Sequence, residues 1–135
     1  HHDVSHHVRF AGPYGQAQAP EIYRNADAYV MTKHADPCPN TVIEAMACGL
    51  PVVHVESGGV PELVGPNAGA GVPAHDDWTQ LFRPDTDALG SAMVAVAENA
   101  DAMGAAARKR AETAFDLNQW IGRHATIFEQ LLERN

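Results

Sequence analysis

Apolar residues fall along the chain in two ways. In the first half they come as short unbroken runs, Ala28-Tyr29-Val30-Met31 and Pro51-Val52-Val53-His54-Val55. Runs of that length, bounded by turn formers, are the pattern of strands buried on both faces, as in a parallel sheet covered by helices. Val8-Arg9-Phe10, ending at Gly12-Pro13, predicts an earlier short strand, and residues 68–73 (AGAGVP) a later one. Between the two clear strands lies Thr41 to Cys48, TVIEAMAC, good for helix and apolar on nearly every side. Such a helix must be buried. Gly49 stands where a left-handed residue would end it, and Pro51 follows. Residues 28–55 therefore read as strand, loop, helix, strand, a right-handed βαβ unit. Pro20 opens a short helix through Arg24, with proline at the first turn where it costs least. Ser57-Gly58-Gly59-Val60-Pro61-Glu62 reads as a glycine turn into another.

In the second half the period becomes helical. Asp87 to Ala100 carries Leu89, Met93, Val94 and Val96 at near-helical spacing, and Met103 to Phe115 is rich in alanine. Asn118 to Arg134 shows an amphipathic stripe of Trp120, Ile121, His124, Ile127, Phe128, Leu131 and Leu132. Asp76 to Asp85, with Trp78, reads as a loop. No repeat or linker interrupts the pattern, so residues 1–135 are expected to form a single α/β unit ending in two or three helices. The final stripe is expected to pack into the core, and Arg108, Lys109 and Arg110 to form a solvated basic face. The competing reading makes both an interaction surface.

Length and composition narrow the classes. A chain of 135 residues can bury a real core, and 45% hydrophobic with 19% charged residues is ordinary for a globular protein. The net charge of −8 argues against nucleic acid or an anionic membrane as the main partner. Any phosphate site must then be local, made of backbone amides or of basic groups from elsewhere. Cys38 and Cys48 make neither a disulfide framework nor a zinc signature, and are expected to be reduced. No apolar run approaches the ~20 residues of a membrane span. The polar, histidine-dense residues 1–7 read as a solvated loop or a tag remnant, with a metal site as the alternative.

In an open parallel sheet, ligands bind at the carboxyl ends of the strands. One loop there runs from Thr32 to Asn40 and leads into a helix N-terminus, whose amides and dipole favour an anion or a hydroxyl-rich ligand. The other is Glu56-Ser57-Gly58-Gly59. Glu44 is the charged residue on an otherwise apolar helix, and a buried carboxylate is costly unless it is paired. Thr41-x-x-Glu44 fits a capping box, with Glu44 reaching back to the Thr41 amide. A carboxylate one turn into such a helix could equally grip vicinal hydroxyls, as on a ribose. Asp36 reads either as a ligand contact or as a loop aspartate that stabilises its own turn.

The string from Asp36 to Val53, DPCPNTVIEAMACGLPVV, followed by Glu56 to Val64, ESGGVPELV, closely resembles family 4 of the retaining glycosyltransferases (glycosyl transferases group 1). That family carries a Glu-x7-Glu motif running into "EAMACGLPVV" and then "GG-x-PE-x-V". Phe10-Ala11-Gly12 resembles its "F-x-G", Tyr23 to Val30 its "Y-x-x-AD-x-x-V", and Ala68-Gly69 the segment before its last strand. The tail, with Leu89, Ala92, Phe115-Asp116 and Trp120, resembles its closing helices. The resemblance implies a Rossmann-like parallel sheet flanked by helices, the C-terminal portion of a GT-B donor domain. Glu44 matches the glutamate that contacts the donor ribose, and Asp36 the one that contacts the transferred sugar. Cys38, Asn40, Thr41 and Val42 fall where backbone groups line sugar and phosphates, and Ser57, Gly58 and Gly59 beside them. Asp36 is one methylene shorter than the family's usual glutamate, which reduces its reach.

The implied activity is transfer of a sugar, with retention, from a UDP- or GDP-sugar to an unknown acceptor, without cofactor or metal and in the cytoplasm, including its inner membrane face. The family's N-terminal acceptor domain and the first two strands of its donor domain have no counterpart here. In the order 3-2-1-4-5-6 those strands would separate Val8–Phe10 from Ala28–Met31. A missing N-terminal half or self-association is therefore expected, and the segment alone is expected to be inactive. Two other readings stand beside this one, a nucleotide-sugar epimerase of the same fold and a non-catalytic binding or assembly module.

Overall fold

The computed structural model describes residues 4–75 and 83–134. Among these, three short strands pair in parallel in the order β1-β2-β3, namely β1 (Tyr29–Met31), β2 (Val52–Val55) and β3 (Gly69–Val72). Val30 lies opposite Val53, and Val53 opposite Ala70. Between and around the strands lie α1 (Ala19–Arg24), α2 (Asn40–Ala47), α3 (Val60–Val64), α4 (Thr86–Glu98), α5 (Ala100–Ala114) and α6 (Leu117–Glu133). Each falls within three residues of its expected position. Residues 1–3, Trp78 and most of the expected 76–85 loop lie outside the described residues.

Side chains alternate across a strand, so β2 feeds two cores. Val52 joins Met31, Val42, Met46, Val60 and Val64 beneath α2, α3 and α5. Val53 joins Val72, Ala92 and Val96 beneath α4. Both faces are covered, which is why β2 reads as an unbroken apolar run. α2 ends as its sequence suggests. Gly49 sits at φ 83°, its N–H bonds the Met46 carbonyl at 2.9 Å, and the Leu50 N–H bonds that of Ala45 at 3.0 Å. This is a Schellman ending. Asp85 caps α4 through the Ala88 amide (2.7 Å), and Asp116 caps α6 through that of Gln119 (2.9 Å).

Three expectations are corrected. Val8–Phe10 forms no strand, and Phe10 is 94% exposed. A strand needs a neighbour for its backbone groups, and among the described residues none lies beside it. The stripe on α6 covers no core, for no residue of α6 is buried and Phe128 is 60% exposed. Periodicity defines which residues share a face, but not what covers that face. The basic triplet on α5 is not simply solvated. Arg108 donates to the Ala47 carbonyl at the end of α2. Arg110 donates through Nε to Leu63 and through Nη2 to Glu62, both at 2.6 Å, at the end of α3. Each guanidinium supplies donors to helix-terminal carbonyls, the favourable end for a cation. The buried Gly104, Ala107 and Ala111 let α5 lie close enough to do this.

Among the described residues, no helix is long and apolar enough to cross a membrane.

Candidate functional site

The carboxyl ends of β1 and β2 carry the two loops singled out in the sequence. In the first, Ala35 has φ 54°, the left-handed region that alanine avoids, and no other described non-glycine residue does so. Asp36 follows. Its Oδ2 accepts from Lys33 Nζ at 2.9 Å, and its Oδ1 accepts from the Cys38 N–H at 3.2 Å. The Lys33 hydrogen bond, assisted by the Cys38 amide, holds the Asp36 carboxyl below the usual aspartate range against a smaller opposing desolvation. Asp36 is therefore an anion at neutral pH. The bond to Cys38 is the turn-stabilising contact expected of a loop aspartate. Lys33, which sequence reasoning passed over, completes it; an aspartate three residues from a lysine in a loop was the available signal.

At the N-terminus of α2 the capping box does not form. The helix begins at Asn40, one residue earlier than expected, with Pro39 at the cap and no side-chain cap bond. Thr41 then lies inside the helix, and its Oγ1 accepts from the Tyr29 hydroxyl at 2.9 Å. Glu44 points instead to α1, where its Oε2 accepts from the Tyr23 hydroxyl at 3.2 Å. Burial, then Tyr14 and the Glu44 charge, push the Tyr23 phenol above its ordinary range, so it stays a donor throughout the neutral region. The rings of Tyr23 and Tyr29 meet edge to face at 6.0 Å. Glu44 is half-buried and opens on a cleft of about 240 Å³, lined also by Gln16, Pro20, Tyr23, Ala47 and Cys48. Cys38 and Asn40 are exposed on the loop and first turn, whereas the Val42 side chain is wholly buried in the core. Both cysteines are free. The two carboxylates thus flank one loop and helix start but share no hydrogen-bond partner.

The second loop grips the first. Ser57 is only 5% exposed, and its Oγ accepts the Ala35 N–H at 2.9 Å. The Gly59 N–H donates to the Asp36 carbonyl at 2.9 Å. A Cβ at Gly58 would strike the backbone of Ala35 and Asp36, and one at Gly59 the carbonyl of Pro37. Glycine is required here because two backbones touch. Among the described residues, no group of His, Cys, Asp and Glu is arranged to hold a metal.

The family model for glycosyl transferases group 1 matches residues 1–110. The chain belongs to this family. A D-inositol 3-phosphate glycosyltransferase of Saccharomonospora viridis is 38% identical over 90 residues, covering 61% of this chain and 21% of that protein. A mannosylfructose-phosphate synthase of Agrobacterium fabrum is 31% identical over 125 residues, 93% of this chain and 25% of that protein. The chain thus spans a quarter or less of the length of these group 1 relatives. A sucrose-phosphate synthase from Thermosynechococcus elongatus superposes with a TM-score of 0.79 over 98% of this chain and 32% of that one, at 24% identity. The fold is that of the C-terminal part of a GT-B glycosyltransferase, a Rossmann-like parallel sheet flanked by helices and closed by a long helix.

Proposed function

We propose that the chain is the donor-binding part of a retaining, nucleotide-sugar-dependent glycosyltransferase, with Glu44 holding the ribose of a UDP- or GDP-sugar and Asp36 the transferred sugar. The observation that carries this reading is the arrangement of the two carboxylates on either side of one helix start at the carboxyl end of the sheet. Asp36 is held ionised by Lys33 and the Cys38 amide. Glu44 is anchored through one oxygen to Tyr23, leaving the other for a hydroxyl donor beside the cleft. Between them the N-terminus of α2, with Asn40 and Thr41 in its first turn, Cys38 on its approach and no side-chain cap, offers amides and a dipole to a diphosphate.

In this reading the protein's part is positioning, together with stabilisation of the diphosphate as the bond from the anomeric carbon to its oxygen breaks. The acceptor oxygen bonds to the same face of the sugar, and its proton leaves with the departing phosphate. No residue named here requires a metal or cofactor. In this reading the groups that bind the acceptor lie in the length that the relatives have and this chain does not span. The reduced cysteines suit a cytoplasmic reaction. The exposed apolar stripe of α6 favours a second reading, an assembly module that binds no donor.

Titration calorimetry with UDP, GDP and their sugars tests the first reading. Glu44→Ala removes the charge-assisted bond from its free carboxylate oxygen to a ribose hydroxyl, at most about 3 kcal/mol. Nucleotide affinity should fall by up to roughly a hundredfold. A folded protein that binds none of these ligands refutes the donor site and leaves the assembly reading.

A further inference from the structure

Ser57, Gly58 and Gly59 were expected to lie beside the donor site, and in the structure they pack against the loop that carries Asp36. The Ser57 side chain is buried and spends its acceptor on the Ala35 N–H at 2.9 Å. Ala35 is the residue held in the left-handed region, at φ 54°. For a non-glycine residue that conformation costs about 1–2 kcal/mol and persists only where the surroundings impose it. The next residue is Asp36. Its carbonyl is bound by the Gly59 N–H at 2.9 Å, so the second loop holds the first on both sides of the strained position. The turn at Ala35 sets the direction in which the Asp36 carboxylate leaves the backbone, toward Lys33 and the Cys38 amide.

We propose that Ser57 is a positioning residue for Asp36, acting through the backbone of Ala35 rather than touching a ligand. Its hydroxyl keeps Ala35 left-handed, and the left-handed turn aims the carboxylate. The consequence for sugar recognition rests on the reading of Asp36 given above, whereas the positioning itself does not.

The test uses the protein as its gene encodes it, in wild-type form and as Ser57→Ala, Ala35→Gly and the double variant. Glycine adopts the left-handed conformation without strain, so it replaces what the Ser57 hydroxyl does. The first measurement is carbon-13 NMR titration of the Asp36 carboxyl. Ser57→Ala should move its midpoint up toward that of an ordinary aspartate, as the carboxylate loses its fixed donors, and Ala35→Gly in the same chain should move it back. The second is calorimetry with a nucleoside diphosphate and the matching nucleotide sugar. Ser57→Ala should weaken the sugar donor about tenfold, the scale of one buried hydrogen bond, while the diphosphate changes less than about twofold. The double variant should recover the wild-type ratio.

A global structural role would lower both affinities together, and that result would overturn the proposal. So would an Asp36 midpoint unmoved by Ser57→Ala, or a tenfold sugar-specific loss that Ala35→Gly fails to restore, the mark of direct contact by Ser57. If Ser57→Ala alone does not fold, Ala35→Gly compared with the double variant carries the test. Agreement between that pair supports positioning, and a tenfold gap refutes it. If no nucleotide sugar binds the wild type while the Asp36 midpoint shifts and returns as described, positioning stands and the donor reading fails.

Discussion

Arg110→Met examines whether the basic face of α5 is structural. The wild-type guanidinium donates to the Leu63 and Glu62 carbonyls at 2.6 Å each and lies 5.7 Å from the centre of the Phe115 ring. Hydrogen bonds to charged groups contribute about 1.5–3 kcal/mol when well shielded. Arg110 is only half-buried, and water can reach carbonyls at the end of so short a helix, so about 1 kcal/mol for each bond is the better figure. The ring contact adds about 0.5 kcal/mol. Methionine keeps the apolar stem and removes the donors, so the expected loss is about 2.5 kcal/mol. For a chain of 135 residues, an unfolding entropy of about 2.1 cal/mol/K per residue turns that into a Tm drop of roughly 9 °C. Lys109→Met is the control. Lys109 is exposed and makes no ion pair among the described residues, so its loss should stay within about 0.5 kcal/mol. Urea unfolding of both variants, with the m-value constant, gives the difference directly. Equal stabilities for Arg110→Met and Lys109→Met would refute the assignment of Arg110 as the brace of α3.

Two further outcomes follow from particular contacts. Met46 is fully buried between α2 and the sheet, so Met46→Ala should cost about 2–5 kcal/mol by the same urea assay, and a loss below about 1 kcal/mol would mean that this core is loosely packed. Lys33→Met removes the cation that lowers the Asp36 pKa, so the NMR midpoint of Asp36 should rise; the wild-type carboxylate is favoured above the ordinary aspartate range, and that advantage is lost as pH falls through its lowered midpoint.

What could be read from the sequence was what depends on neighbours in the chain. β1, α2 and β2 came from the apolar runs, and the end of α2 from Gly49, because burial on both faces and a left-handed cap leave local marks. The family resemblance of the stretch from Asp36 to Val64 pointed to the two loops proposed as the site. What could not be read depends on contacts made across the fold. The Tyr23–Glu44 bond joins residues 21 apart, and the Ala35–Ser57 bond residues 22 apart. Arg110 reaches 47 and 48 residues back to α3. Moving the cap of α2 two residues, from Thr41 to Pro39, was enough to replace a capping box by a bond to another helix. Val8–Phe10 failed for a related reason: its own pattern is strand-like, but among the described residues no strand lies beside it to pair with.

These long-range contacts also divide the hydrogen bonds of the candidate site into two sets. Asp36 is oriented by its own loop and, through Ala35, by the loop after β2, with Lys33 supplying the charge. Glu44 is oriented by a phenol from α1, which donates to it across the neutral range. No described hydrogen bond connects one set with the other. A change in the β2–α3 loop can therefore disturb Asp36 while leaving Glu44 in place, and a change in α1 can do the reverse. In a donor site of the proposed kind, that separation lets the grip on the sugar be adjusted at positions 33, 35 and 57 without loosening the grip on the nucleoside. Asp36, one methylene shorter than the usual glutamate, lies in the set where such adjustment is possible.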